Sequence, residues 1–219
     1  MAFQRIAAPF RKLTEDELNQ WRDIPPAVAS DCMNRTQSMG AAMKPVNAGA
    51  SVCGQARTVT TMAGDCASIC ELISLAGPGE VIVVDAGGVE DTAVWGGMMA
   101  EEAVYRSLGG AVVYGAIRDV ADMRRLQFAM FCTAVVPRGP HQGFGGVIDG
   151  SISAAGAVVR PGDVVLGDDD GVVVVPLERA DEVLLAAQAH LQKEAACFAA
   201  VRSGRSLPEI FNMPKSELA

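Results

Sequence analysis

Residues 81–88 read VIVVDAGG. Four β-branched residues in succession, with no polar residue alternating among them, form the kind of strand that is buried on both faces inside a parallel sheet. Gly77-Pro78-Gly79 stops whatever precedes it, and Asp85 with the pair Gly87-Gly88 marks where it ends. Downstream, a helix is expected from about Trp95-Gly96-Gly97 to Ser107. Gly109-Gly110 then leads into a second buried strand, AVVYGAIRD (111–119). A helix over Val120–Ala129 and the strand CTAVVPRG (132–139) follow. Three strand–helix repeats in a row argue for a largely parallel sheet covered by helices.

Upstream, Asp65 is placed to cap a helix through Cys70 to Leu75, and Val46–Thr61 reads as strand and turn, punctuated by Gly49 and Gly54. Thr14-Glu-Asp-Glu17 has the spacing of a capping box and opens a short helix through Trp21; Pro25-Pro26 ends it and starts another, Ala27 to about Arg35. Beyond Gly139 the pattern changes to short strands, GGVIDGSI, GAVVR and DVVLGDDDGVVVVP. Asp169-Asp170-Gly171 between two valine runs is a hairpin signal. A long helix, about 177–203, ends at Gly204. The expectation is one α/β domain over 1–219: a mixed, largely parallel sheet with N-terminal helices at about 14–35, a C-terminal β-hairpin region and a long last helix.

Half of the 219 residues are hydrophobic, a fifth are charged, and aromatics make up only 5%, so the core is built from small branched side chains. A formal net charge of −8 repels polyanions, and the chain lacks the basic face and exposed aromatics of a nucleic-acid binder. No apolar run reaches the roughly 18–20 residues that span a bilayer. The N-terminus lacks a secretory pattern, which makes a cytoplasmic protein the expectation. The six cysteines (Cys32, Cys53, Cys66, Cys70, Cys132, Cys197) read as reduced core residues. Two histidines, His141 and His190, are too few for a histidine-rich zinc site.

In an open α/β sheet, functional side chains gather where parallel strands end. By that rule Asp85, Arg118 and Asp119 share one edge, with Asp122 a turn into the next helix and Trp95-Gly96-Gly97-Met98-Met99 opening the helix between them. A helix N-terminus binds anions, an arginine grips a carboxylate in a fork, and carboxylates hold a hard divalent cation. Together they make a site for a small carboxylate and a metal. Singly, each piece also has a plain structural reading: a glycine turn, a local Arg118–Asp119 ion pair, a solvated hairpin at Asp168–Asp170, a surface position for His141.

The ordered set Gly64-Asp65, PGEVIVVDAGG, AVWGGMMAEEA, GAVVYGAIRDVADM and VRPGDVVLGDDDGVVVVP resembles the 4-hydroxy-4-methyl-2-oxoglutarate aldolase family, which also contains the regulator of ribonuclease E activity A. The likeness runs from about Asp31 to Gly204. It implies a three-layer swivelling-domain fold and homotrimers or homohexamers with sites between subunits. It also implies a class II aldolase producing pyruvate with Mg2+ or Mn2+, and oxaloacetate decarboxylation as a companion activity. By position, Arg118 would bind the substrate carboxylate, Asp119 would anchor the metal, mainly through waters, and the backbone from Gly96 through Gly97 and Met98 to Met99 would hold the pyruvate moiety. Asp122 matches an acid typical of the aldolase members, and Glu194 would approach the metal from a neighbouring subunit. One position departs: Gly97 stands where aldolases commonly carry Asp or Glu. Weaker metal binding, a shifted substrate or lost lyase activity would follow from that. The rival implications are a non-enzymatic protein that restrains a ribonuclease, and a lyase or hydratase acting on another hydroxy- or keto-acid.

Overall fold

The computed structural model describes residues 3–217. In chain order its elements begin with β1 (Gln4–Arg5), α1 (Glu15–Arg22), α2 (Pro26–Cys32), β2 (Lys44–Pro45), β3 (Val52–Thr61) and α3 (Ala67–Leu75). Next come β4 (Val81–Asp85), β5 (Ala93–Trp95), α4 (Gly97–Tyr105), β6 (Gly110–Ile117), α5 (Val120–Leu126) and β7 (Met130–Val135). The chain continues with β8 (Gly146–Ile148), β9 (Ile152–Ala154), β10 (Ala157–Val159), β11 (Val164–Asp168) and β12 (Gly171–Val175). After a 3-10 turn at Leu177–Arg179 it closes with α6 (Ala180–Arg202) and α7 (Leu207–Ile210).

The valine run is central, as its lack of alternation requires. β4 lies between β3 and β6, β7 follows β6, and all four strands run parallel. Its side chains divide between two layers. Ile82 and Val84 pack with Ile69, Leu72, Trp95 and Met123 beneath α3, α4 and α5. Val81 and Val83 pack with Ile152, Val165 and Val174 on the opposite side. The β11–β12 hairpin repeats the device: Val165, Val172 and Val174 face the sheet, while Val164, Leu166, Val173 and Val175 face Trp21, Val28, Ala29 and Val183 of α1, α2 and α6. A strand buried twice over needs apolar residues at every position, which is what the unbroken valines supply. The mixed α/β architecture with its mostly parallel sheet, hairpin region and long C-terminal helix is therefore as expected.

β3 is long enough to pair with three strands, β4, β8 and β11. Ala56–Thr60 pairs in parallel with β4, and Val52–Gln55 pairs antiparallel with β11. Buried charges brace this junction. Arg57 donates from Nε and Nη2 to the two carboxylate oxygens of Asp149, both at 2.8 Å, and from Nη1 to Glu80 at 3.0 Å; Lys12 also pairs with Glu80.

Several boundaries differ from the sequence reading. α2 stops at Cys32 because Asn34 and Arg35 take left-handed backbone, φ 55° and 60°. α5 stops at Leu126, where left-handed Gln127 turns Phe128 back to stack on Trp95 at 6.1 Å. Burying Phe128 outweighs extending the helix to Ala129. Trp95 belongs to β5, and α4 begins at Gly97. The second buried strand ends at Ile117, leaving Arg118 and Asp119 just past it. GGVIDGSI divides into β8, antiparallel to β3, and β9, which pairs with β10. Among the described residues no helix is long and apolar enough to cross a membrane.

Candidate active site

Because β3, β4, β6 and β7 are parallel, their carboxyl ends share one edge of the sheet, and there a cavity of about 250 Å³ opens. Gly96, Gly97, Met98 and Met99 at the start of α4 form one side, with Arg118 and Asp119 after β6; Gly139, Pro140 and Gln142 come from the loop after β7.

Asp119 is the pivot. It takes left-handed backbone, φ 59° and ψ 41°, a conformation that Asp tolerates better than most residues with a side chain. Its Oδ2 accepts the Gly97 N–H at 2.9 Å, which fixes the carboxylate against the first residue of α4. Oδ1 accepts no hydrogen bond from the described residues. The amides of Met98 and Met99, in the first helical turn, have no backbone acceptor and remain available to an anion.

Arg118 is anchored by its backbone, whose N–H donates to the Trp95 carbonyl at 2.9 Å. Its side chain lies between two glycines. A β-carbon at Gly139 would stand 2.5 Å from a terminal guanidinium nitrogen, and one at Gly96 would stand 3.3 Å from Nε. The nearest carboxylate is Asp119, with Nε to Oδ2 at 3.6 Å, so among the described residues no acceptor occupies the guanidinium fork. Asp122 stands at the rim against Gly97, and Arg125 approaches its Oδ1 at 3.5 Å.

Gly96–Met99, Arg118 and Asp119 thus converge on the cavity with Asp122 at its rim, while Asp85 does not join them and Glu194, expected from a neighbouring subunit, lies elsewhere on this chain. Asp85 closes its own turn, accepting the Gly87 N–H at 3.0 Å, and does not line the cavity. Glu194 lies on α6, the helix that covers the β11–β12 hairpin through α2, next to His190 (3.6 Å), and is not part of this chain's cavity wall. Asp168–Asp170 is a hairpin turn, Asp168 accepting the Asp170 N–H and Asp169 the Gly49 N–H. His141 is exposed, edge-on to Phe144.

The structure adds wall residues that sequence reasoning missed. Glu102, one turn after Met98, lines the cavity and accepts from Arg106 Nε at 2.9 Å. Gly139 to Gln142 follow a parallel strand, so the strand-end rule could have found them. Cys66 and Cys70 are not mere core filling: one helical turn apart, they both face the cavity. Hydrogen bonds from the Cys70 thiol and Gln142 lower the Cys66 pKa against the cost of burial, while donation to Cys66 and burial push the Cys70 thiol up. Buried Asp65 secures this wall, accepting the Ala67 N–H at 2.9 Å and the N–H groups of Gly143 and Phe144 at 2.7 and 3.1 Å. Among the described residues no three His, Cys, Asp or Glu side chains form a ready-made metal cage.

Comparison with known proteins gives the geometry a context. A Halalkalibacterium halodurans protein provisionally named 4-hydroxy-4-methyl-2-oxoglutarate aldolase is 36% identical over 169 residues, covering 77% of this chain and 80% of that protein. A Thermus thermophilus protein named 4-hydroxy-4-methyl-2-oxoglutarate aldolase is 29% identical over 147 residues, covering 67% and 89%. The crystal structure of Streptomyces coelicolor RraAS2, described as an unusual member of the RNase ES inhibitor RraA family, superposes with a TM-score of 0.78 at 28% identity, covering 86% of this chain and 98% of that one. The family model RraA-like, described as Aldolase/RraA, matches residues 26–174, a span that holds the cavity and every residue lining it, and the chain belongs to that family.

Proposed function

We propose that this chain is a carbon–carbon lyase that releases pyruvate from 4-hydroxy-2-keto acids of the 4-hydroxy-4-methyl-2-oxoglutarate type, with oxaloacetate decarboxylation as a companion activity. The observation that carries the reading is the Arg118 guanidinium, seated between Gly96 and Gly139 with its fork free, beside the unpaired amides of Met98 and Met99. That arrangement suits a 2-keto carboxylate: the fork takes the carboxylate in two parallel hydrogen bonds, and the helix N-terminus receives a neighbouring oxygen.

In retro-aldol cleavage the 4-hydroxyl loses its proton, the C3–C4 bond breaks, and C3 takes up a proton to become the methyl group of pyruvate. Arg118 offsets charge that builds on the pyruvate fragment, and one such preorganised donor is worth about 3–4 kcal/mol in a water-poor site. Asp119 and Asp122 orient a water to receive the hydroxyl proton. Asp119 is fixed through Oδ2 and has Oδ1 to spare, which fits a hard cation that keeps most of its waters and takes only one or two protein carboxylates. A bound magnesium or manganese ion would supply the electron sink for the enolate. Asp119 would hold it, joined by the partner's Glu194 in a homotrimer or homohexamer.

The test is pyruvate release from 4-hydroxy-4-methyl-2-oxoglutarate and from oxaloacetate, with and without magnesium, against metal alone and against Arg118→Ala and Asp119→Ala. Magnesium-dependent release well above both variants supports the lyase. Release no faster than metal alone sinks it. It would then favour the second reading, restraint of a ribonuclease, which rests on the relatedness to the Streptomyces coelicolor inhibitor-family structure.

A further inference from the structure

α3 begins at the cavity with a pair of thiols. Cys66 is its N-cap and Cys70 lies one turn further on, and both line the cavity. Cys66 is almost fully buried, so a reagent must reach it through the cavity, which admits small molecules. The two thiols differ in character. Hydrogen bonds from Cys70 and Gln142 hold the Cys66 pKa down against burial and the charge of Asp65. Cys70 is pushed up by donating to Cys66, by burial and by the nearby Glu102 carboxylate. An attacking cysteine beside a protonated one that can resolve it is the arrangement found at oxidation-sensitive sites. Elsewhere burial pushes Cys53 and Cys132 up to about 11 and raises Cys32. The pair belongs whole to one chain, so residues that a partner adds to the site leave it intact.

Cys66 is also tied to the loop that seats the arginine. Its N–H donates to the His141 carbonyl at 3.0 Å, and the His141 N–H donates to the Gly64 carbonyl at 2.7 Å. The Asp65 carboxylate holds the amides of Gly143 and Phe144. These bonds fasten residues 141–144 to the start of α3. Gly139, against which the Arg118 guanidinium packs, lies in the same loop.

We infer that Cys66 and Cys70 are an oxidation site, at which hydrogen peroxide converts the dithiol to a disulfide and loosens the loop that seats Arg118. The Cys66 sulfur attacks one peroxide oxygen and the O–O bond breaks. The sulfur, oxidised by two electrons, becomes a sulfenic acid, and the other oxygen leaves as water. The Cys70 sulfur then attacks that of Cys66; the S–S bond forms, the S–O bond breaks, and a second water leaves with the Cys70 proton. Neighbours one helical turn apart have β-carbons about 5–6 Å apart, and a disulfide draws them to about 3.5–4.5 Å. Cys66, at the end of the helix, is the residue that moves, and it carries Asp65 and the loop with it. The effect on ligand binding rests on the keto-acid reading above; the bond and the loosened loop do not.

The experiment treats the reduced full-length protein with a small excess of hydrogen peroxide, blocks the remaining thiols with iodoacetamide and maps them by mass spectrometry. A disulfide joining Cys66 to Cys70 is expected before Cys32, Cys53, Cys132 or Cys197 reacts. In Cys70→Ser the reaction should stop at a Cys66 sulfenic acid, which dimedone captures. Cys66 and Cys70 both still alkylated after other cysteines have oxidised overturns the inference. Amide hydrogen exchange is then compared between the dithiol and disulfide forms. Residues 139–144 should exchange faster after oxidation and slow again with dithiothreitol, and unchanged exchange overturns the coupling to the loop. Calorimetric titration with pyruvate in magnesium should show the disulfide form binding at least about tenfold more weakly, the effect of losing one hydrogen bond of the Arg118 fork. A disulfide form that binds as tightly as the dithiol overturns the effect on the site. A dithiol form that binds no pyruvate, with the disulfide and the loosened loop both observed, removes the keto-acid reading and keeps the oxidation site.

Discussion

The Asp122 carboxylate lies over Gly97 at the N-terminus of α4, so close that a β-carbon at residue 97 would stand 2.5 Å from Oδ2 and 3.3 Å from Cγ. An acidic side chain at residue 97 and the observed position of Asp122 therefore exclude each other. The glycine does not strip the site of negative charge. It leaves room for the Asp122 carboxylate, delivered from α5, to lie at the rim of the cavity.

Gly97→Ala tests this relationship. Asp122 is about half exposed, at 48%, and can rotate outward, so the clash is relieved at little cost. The unfolding free energy is expected to change by less than about 1 kcal/mol, since the helix preference of alanine offsets part of the crowding. Pyruvate release is expected to fall as the carboxylate leaves the cavity mouth. Undiminished release with the melting temperature preserved would show that the position of Asp122 over Gly97 does not matter for catalysis.

Asp119→Asn separates charge from shape. Asparagine tolerates left-handed backbone and its side-chain oxygen still accepts the Gly97 N–H, so the melting temperature should stay within about 2–4 °C of the parent, equivalent to about 1 kcal/mol for a chain of this size. Metal affinity is expected to drop about 10–100-fold, the usual cost of losing a carboxylate at such a centre, and pyruvate release with it. Titration with magnesium checks the first and the coupled pyruvate assay the second.

Gly139→Ala acts on substrate binding. The added methyl group would stand 2.5 Å from an Arg118 terminal nitrogen, which must shift out of its seat. A displaced fork loses one of its two hydrogen bonds to the carboxylate, about 1.5–3 kcal/mol, which is roughly ten- to a hundredfold in affinity for pyruvate. Fluorescence or calorimetric titration with pyruvate reads this directly, and unchanged affinity would show that Arg118 adapts without loss.

The strands and the strand-end residues were legible because both follow from local pattern. VIVVD admits no amphipathic alternative, and Arg118, Asp119 and Gly96–Met99 come straight from the direction of parallel strands. Helix ends were less legible: α5 loses its last turn to the burial of Phe128 against Trp95, a contact made across 33 residues of sequence. The thiol wall was hidden for another reason. One helical turn between Cys66 and Cys70 says that they share a face, yet only the fold shows that this face lines a cavity. The buried Arg57–Asp149–Glu80 cluster joins three distant segments, and nothing within any one of them announces it.

That cluster sets the acid limit of the fold. At Glu80, burial alone would raise the carboxyl pKa, but the Gly77 N–H, Lys12 and Arg57 together outweigh it and hold the group below its ordinary value of 4.5. A carboxylate depressed in the folded state contributes stability that is complete above its unfolded pKa and is lost as pH falls through the folded value. Asp163 works the other way. Burial, opposed by the N–H groups of Arg160 and Leu177, raises it above 3.8, so its contribution is present at low pH and fades as pH rises through its folded value. Melting temperatures followed downward in pH should therefore fall below about 4.5, with Asp163 partly offsetting the loss. Glu80→Gln should flatten this acid limb while lowering stability at neutral pH. Arg57→Met, which takes the buried guanidinium away from Asp149 and Glu80, should cost about 3–5 kcal/mol at neutral pH and less in acid, where Glu80 takes up a proton. An Arg57→Met variant as stable as the parent at neutral pH would show that the cluster braces nothing.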